Sequence, residues 1–194
     1  MNFSGFKSKK GFTLAEMIVV MFIFSLLSVV IAGIFVQFFN TENRSFISQK
    51  LSSDMRFTLE MIAREVRMGN IDYRVTGYYG GTVPKPTDTL AILDANGDQI
   101  LFGLAGADCQ TTSDCYVFVR RGGVDYRVTP DDLAVNQLIF YVSPIVDPFT
   151  LQADGHYLAE DQPRVLVVLE EKDAKTGEIN LKMQTAVSSK IYQR

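Results

Sequence analysis

Residues 9–36 read KKGFTLAEMIVVMFIFSLLSVVIAGIFV, and this stretch decides the fold of the chain. Residues 17–36 contain no ionisable side chain, and only Ser25, Ser28 and Gly33 interrupt the apolar run. About twenty helical residues reach about 30 Å, which is the thickness of the hydrocarbon layer of a membrane. The sequence therefore predicts a membrane-spanning helix near the N-terminus.

The charges that flank this run predict its orientation. Lys7, Lys9 and Lys10 precede it, and no acidic residue occurs before Glu16. Positive charges stay on the cytoplasmic side of a membrane segment. We therefore expect the short basic N-terminal segment in the cytoplasm and everything after Asn40 outside it.

Glu16 is the unusual residue of this segment. An isolated carboxylate costs roughly 2.5 to 3.5 kcal/mol at mid-bilayer, and less towards the interface, so we expect Glu16 to have a partner. A simpler explanation is that the helix dipole favours an acidic residue in the first turn, by about 0.3 to 1 kcal/mol. Both explanations can hold together.

Two simpler interpretations of the whole segment remain open. It could be a secretory signal cut after Ala32, although its apolar stretch is longer than a usual signal core and continues to Phe39. It could also be a plain single-pass anchor, but a plain anchor leaves Glu16 unexplained.

Composition limits the possible functions. The 19 basic and 22 acidic residues give a formal net charge of −3, so there is no basic field for phosphate, and we expect no direct contact with nucleic acid. The sequence has no phosphate loop, serine elbow or zinc-helix motif, and its one histidine, His156, leaves little room for histidine-dependent catalysis. We therefore expect neither an enzyme nor a bound cofactor.

The helix is predicted to continue beyond the membrane segment. No proline or glycine occurs between Phe39 and Gly69, so the pattern indicates one helix from Phe12 to Met68, about 85 Å long. Its second half has apolar residues at spacings of three and four, which predicts one core-facing side: Ile47, Leu51, Met55, Leu59, Ile62 and Val66. On the other side, ion pairs are predicted four residues apart: Lys50 with Asp54, Arg56 with Glu60, and Glu60 with Arg64.

Beyond Gly69 the pattern changes to short runs of β-branched and aromatic residues between turns. This pattern predicts an α+β fold, in which a long N-terminal helix packs on an antiparallel sheet. The predicted strands are Leu90–Leu93, Gln99–Leu104, Tyr116–Arg120, Val124–Val128, Leu138–Val142, Arg164–Glu170 and Ile179–Thr185.

Two smaller features of this region suggest local structure. Cys109 and Cys115 lie in the part expected outside the membrane, where an oxidising compartment favours a disulfide over a metal site. Asp94, Asn96 and Asp98 alternate as in calcium loops, but the distal bidentate glutamate is missing, so a hairpin turn is the better interpretation.

Residues 9–16, KKGFTLAE, resemble the prepilin signature of the type IV pilin superfamily. The resemblance implies that a prepilin peptidase cuts between Gly11 and Phe12 and that Phe12 is N-methylated. It also implies that Glu16 pairs with the new amino group of Phe12 on a neighbouring subunit during assembly. The implied partners are other pilins or pseudopilins, minor and major, and an inner-membrane assembly platform.

Weaker resemblances suggest a subfamily. Residues 53–67, 116–127 and 184–188 look similar to J-type minor pseudopilins of type II secretion and to W-type minor pilins, which implies a place near a filament tip. The expected organisation is leader 1–11, membrane and assembly half-helix 12–39, amphipathic half-helix 40–69, and extracytoplasmic head 70–194. The alternative is a membrane-anchored domain that binds a ligand with its outer loops.

Overall fold

The computed structural model describes residues 11–75, 82–106, 108–109, 114–156, 161–175, 177 and 179–189. Over this part of the chain, one long apolar helix packs on antiparallel β-structure, and the predicted α+β class is confirmed. The elements in chain order are α1 (Leu14–Met68), β1 (Asn70–Ile71), β2 (Leu90–Leu93), β3 (Gln99–Ala105), β4 (Tyr116–Arg121), β5 (Val124–Arg127), β6 (Leu133–Ser143), β7 (Arg164–Asp173) and β8 (Asn180–Ser188).

The chain divides into two compact units, Met1–Ser45 and Phe46–Arg194. In the described residues of the first unit, α1 is the only regular element, and its side chains are exposed all round. In the second unit, the remaining turns of α1 pack with the strands. We call this second unit the head.

The first sheet of the head has five antiparallel strands in the order β1-β2-β3-β4-β5. Two of its hairpin turns contain glycine in the left-handed region, Gly97 with φ 85° and the pair Gly122 and Gly123 with φ 57° and 80°. Other residues are strained there, whereas glycine is not. The hairpin predicted at Asp94, Asn96 and Asp98 is therefore confirmed, and Gly122 and Gly123 close a second hairpin between β4 and β5.

The second sheet has three antiparallel strands in the order β6-β7-β8. Its strands differ in length from the sequence prediction: β6 already begins at Leu133 and β7 continues to Asp173. The sequence did not indicate two sheets. The division arises because β6 does not pair as a strand with the first sheet. It is linked to that part of the chain by single hydrogen bonds, such as the one that Val135 N donates to Cys115 O at 2.9 Å.

One apolar cluster joins α1 to both sheets. Leu51, Met55 and Ile62 on α1 are 0% exposed, so the predicted core-facing side is confirmed. Its partners on the strands include Ile92, Phe102, Val117, Phe140, Val167 and Leu169. Each fully buried side chain of this kind stabilises the fold by about 1.5 to 3 kcal/mol, so packing rather than helix propensity holds this half of α1 in place.

The ion pairs of α1 differ from the prediction. Among the described residues, none of the three pairs expected along the helix forms. Instead Lys50 pairs with Asp132, and Glu65 pairs with Arg121 at 2.8 Å. Both contacts join the helix to the sheets or their connections. Lys50 bonds to Asp132, which folding brings to it from outside the helix, rather than to Asp54.

Gly69 ends α1 as predicted, but for a different reason. Its φ is not positive, so it is not a left-handed cap. A Cβ at this position would lie 2.4 Å from Ile92 Cγ2 and 2.6 Å from Leu93 O, so the backbone of β2 approaches too closely for a side chain. The carbonyl of Gly69 accepts a buried hydrogen bond from Ser189 Oγ at 2.8 Å, which ties the end of α1 to the residue after β8.

Candidate processing and assembly site

The start of α1 is fixed by a reciprocal set of hydrogen bonds. Thr13 lies just before the first helical residue, and its Oγ1 accepts a hydrogen bond from Glu16 N at 3.3 Å. Glu16 Oε2 accepts in return from Thr13 N at 2.9 Å and from Thr13 Oγ1 at 3.0 Å. This arrangement is a capping box, which satisfies backbone N–H groups that a helix start leaves without partners.

The capping box changes the interpretation of Glu16. The sequence analysis expected the carboxylate to need a partner, and one of its oxygens finds that partner within its own chain. Glu16 Oε1 makes no hydrogen bond to a described residue. The carboxylate is thus held in a fixed orientation with one oxygen still able to accept.

Thr13 is the residue of this site that the sequence analysis missed. The signal for it was present, because a threonine followed three residues later by glutamate, just before an apolar run, is typical of a helix N-terminus. The helix dipole and assembly were the roles expected for Glu16, and none was expected for Thr13.

The residues on either side of the expected cut are accessible. Phe12 is 80% exposed, and a Cβ added to Gly11 would have no heavy atom within 4 Å. Packing within this chain therefore does not require glycine at position 11. The three leader lysines Lys7, Lys9 and Lys10 lie outside the described residues.

The side chains of the apolar half of α1 are exposed. By length and composition α1 can cross a membrane, and its most apolar window has a mean hydropathy of 2.9 with 0% of its residues buried. Phe24 and Val29, for example, are 68% and 71% exposed. A helix in the core of a soluble protein would bury these side chains, whereas here they are exposed.

The hydroxyl groups within this half are already satisfied by the helix. Ser25 Oγ donates to Phe22 O, and Ser28 Oγ donates to Phe24 O, both at 2.8 Å. Polar groups without partners are costly in hydrocarbon, and these bonds remove that cost. The serines that interrupt the apolar sequence therefore do not oppose membrane insertion.

The sequence resemblance falls on this segment, which has a capped helix start followed by an exposed apolar run. A comparison with known protein families tests the resemblance. Residues 6–32 match the model for the prokaryotic N-terminal methylation motif. The methylation motif covers Gly11, Phe12, Glu16 and most of the apolar run, and it supports the type IV pilin superfamily. It extends over well under half of the chain and does not reach the head. No curated protein and no solved structure matches the chain.

The match supports a type IV pilin-like subunit that is processed and membrane-anchored. The methylation motif belongs to a family of structural proteins rather than enzymes. The apolar helix fits a single-pass anchor, as in type IV pilins.

The two remaining sequence-predicted features lie in the head, away from the methylation motif. Cys109 and Cys115 form the expected disulfide, with Cα atoms 5.3 Å apart. Asp94 Oδ1 accepts from the backbone N atoms of Asn96 at 2.8 Å and Asp98 at 2.9 Å, as in a hairpin turn. The described residues contain no group of three or more histidine, cysteine, aspartate or glutamate side chains arranged for a metal ion.

Proposed function

We propose that this chain is a minor subunit of a type IV pilin-like filament, of the J-type pseudopilin or W-type pilin kind, located near the filament tip. In this proposal the prepilin peptidase cuts the leader after Gly11, and the new N-terminus at Phe12 is methylated. The chain then waits in the inner membrane with its head outside the cytoplasm, until the assembly platform adds it to other pilins or pseudopilins.

The observation that carries the proposal is the capped start of α1 within the methylation motif. The capping box holds Glu16 at the beginning of the apolar half of α1, whose side chains are all exposed. Glu16 Oε1 can accept a bond from the amino group that cleavage would create on Phe12 of a neighbouring subunit. An ion pair at that depth would align neighbouring helices axially, while the apolar surfaces pack laterally.

The role of the leader follows from charge and access. Lys7, Lys9 and Lys10 would hold the leader on the cytoplasmic side, where the peptidase reaches the bond between Gly11 and Phe12. Because nothing in the chain crowds Gly11, a requirement for glycine at this position would come from the peptidase. Any side chain at position 11 should therefore leave folding unchanged and affect cleavage alone.

Mass spectrometry of the mature N-terminus tests the processing step. We expect the chain to start at Phe12 and to carry one additional methyl group. A start at Gly33 would indicate an ordinary secretory signal instead, and an uncut N-terminus would indicate a plain anchor.

Two substitutions separate the charge of Glu16 from its role as a cap. Glutamine at the third helical position still forms a capping box, so Glu16→Gln removes the charge and keeps the cap. Thr13→Ala removes the cap and keeps the charge. Assembly through an ion pair predicts that Glu16→Gln is inserted and cut but absent from purified filaments, whereas Thr13→Ala enters them.

Glu60→Gln is a matched control, since Glu60 is an exposed glutamate elsewhere on α1. Incorporation of Glu16→Gln at the level of this control would contradict the assembly role. It would favour the alternative of an anchored ligand-binding domain, for which changes near Cys109 and Cys115 should matter more.

A further inference from the structure

Several buried side-chain oxygens of α1 and β7 have no hydrogen-bond partner among the described residues. Glu171 on β7 is 0% exposed, and neither of its carboxylate oxygens has a hydrogen-bond partner among the described residues. Two buried oxygens of α1 likewise have no partner among the described residues: Asp54 Oδ2 and Thr58 Oγ1, whose residues lie one helical turn apart. Buried polar atoms without partners are rare in folded proteins and call for an explanation.

The surrounding charges do not neutralise Glu171. Lys50 on α1 is paired with Asp132, and this pairing lowers the pKa of the Asp132 carboxyl. On β7 itself, Asp173 adds a further carboxylate near Lys50. Glu171 thus feels the charge of Asp54, while Lys50 is bound to another carboxylate.

The strands on either side of β7 place apolar residues next to Glu171. Its neighbour on β6 is Val135 and its neighbour on β8 is Leu181. Burial first, and the negative charge of Asp54 second, raise the pKa of Glu171 to about 8. The carboxyl group therefore keeps its proton at neutral pH.

We propose that Glu171 is buried with its proton bound, and that this uncharged form holds the first turns of α1 in the head against β7. The bound proton lets the carboxyl group stay in a site where neither of its oxygens has a partner among the described residues. Its release leaves a negative charge buried at a site that already feels the charge of Asp54, which loosens the contact between helix and sheet. The head thereby becomes sensitive to the pH of the compartment that surrounds it.

The direction of the pH effect follows from the two pKa values. In the unfolded chain a glutamate releases its proton near its ordinary pKa of 4.5, whereas Glu171 in the folded chain does so near 8. The stabilisation by protonated Glu171 is complete below pH 4.5 and is lost as the pH rises through about 8. Between them the contribution of Glu171 raises the unfolding equilibrium constant about tenfold per pH unit, and above about pH 8 the effect levels off.

The test uses the full chain in detergent micelles. In a carbon-13 NMR titration of labelled glutamate carboxyl groups, one resonance should have a midpoint near 8, and Glu171→Gln should remove it. In methionine methyl spectra, the signal of the buried Met55 should broaden above pH 8 in the wild type and stay sharp in Glu171→Gln. Glu170→Gln is the matched control, because Glu170 lies on the same strand and is bonded to Asn180 at 2.8 Å.

Three results would overturn the proposal. The first is a set of glutamate resonances that all titrate near 4.5, which can be read from the wild type even if the variant fails to fold. The second is a Met55 signal that responds to pH equally in the wild type and in Glu171→Gln. The third is a Glu170→Gln variant that removes the pH response as completely as Glu171→Gln does.

Discussion

The substitution Gly69→Ala tests how α1 ends against the first sheet. A Cβ at this position would lie 2.4 Å from Ile92 Cγ2, 2.6 Å from Leu93 O and 3.1 Å from Glu65 O. The isoleucine methyl can move, but the two carbonyl oxygens belong to backbone in β2 and in α1. The added methyl group therefore forces a shift of the helix end or of the strand.

Overpacking of this kind typically costs about 1 to 3 kcal/mol, and because two of the three contacts are with backbone we expect about 2 to 3 kcal/mol. The shift would also strain the buried bond from Ser189 Oγ to Gly69 O. Gly33→Ala is the control, since a Cβ there has no heavy atom within 4 Å and Gly33 lies outside the head. We expect it to change the unfolding free energy of the head by less than about 0.5 kcal/mol.

Urea unfolding of the full chain in detergent, followed by near-ultraviolet circular dichroism, measures both effects. All 8 tyrosines lie beyond residue 46, so the tyrosine signal reports on the head and not on the apolar half of α1. A cost below about 0.5 kcal/mol for Gly69→Ala would refute the reasoning, because it would mean that the helix end and β2 separate freely. An equal loss in Gly33→Ala would show that the assay does not isolate the head.

Two further predictions concern the core and the disulfide, and the same unfolding measurement checks both. Met55→Ala should lower the unfolding free energy by about 2 to 5 kcal/mol because Met55 is 0% exposed, while Phe57→Ala on the 65% exposed side of α1 should change it by less than about 0.5 kcal/mol. Similar costs for the two would contradict the orientation of the helix. Replacing Cys109 and Cys115 together by alanine should cost about 2 to 2.5 kcal/mol, as expected for a short closed loop, and no loss would mean that the bridge does not constrain the unfolded chain.

The sequence predicted the elements that local patterns specify. The uncharged run and the spacing of Leu51, Met55 and Ile62 were enough for α1, because a helix is built from contacts three and four residues apart. Glycine at positions 97 and 122 was enough for two hairpins, since their turns need positive φ. At the helix start, the prepilin signature indicated a role for Glu16 but not its hydrogen bonds with Thr13.

Features that depend on distant parts of the chain could not be predicted. Lys50 and Asp54 have the spacing of a helical ion pair, but Asp132 approaches Lys50 only after folding. Glu170 and Glu171 look alike in the sequence at the end of an apolar run. Only the register of β7 decides that the first is bonded to Asn180 and that the second is buried. The separation of the strands into two sheets is likewise a property of long-range pairing.

The row of contacts between α1 and the strands of the head has a mechanical consequence. A tensile load on this part of the helix would be carried by side chains that lie in a row, from Leu51 to Val66, together with the pairs Lys50–Asp132 and Glu65–Arg121. Such a row is loaded in shear, so its contacts resist together instead of peeling apart one after another. The head would therefore yield at a single high force rather than gradually.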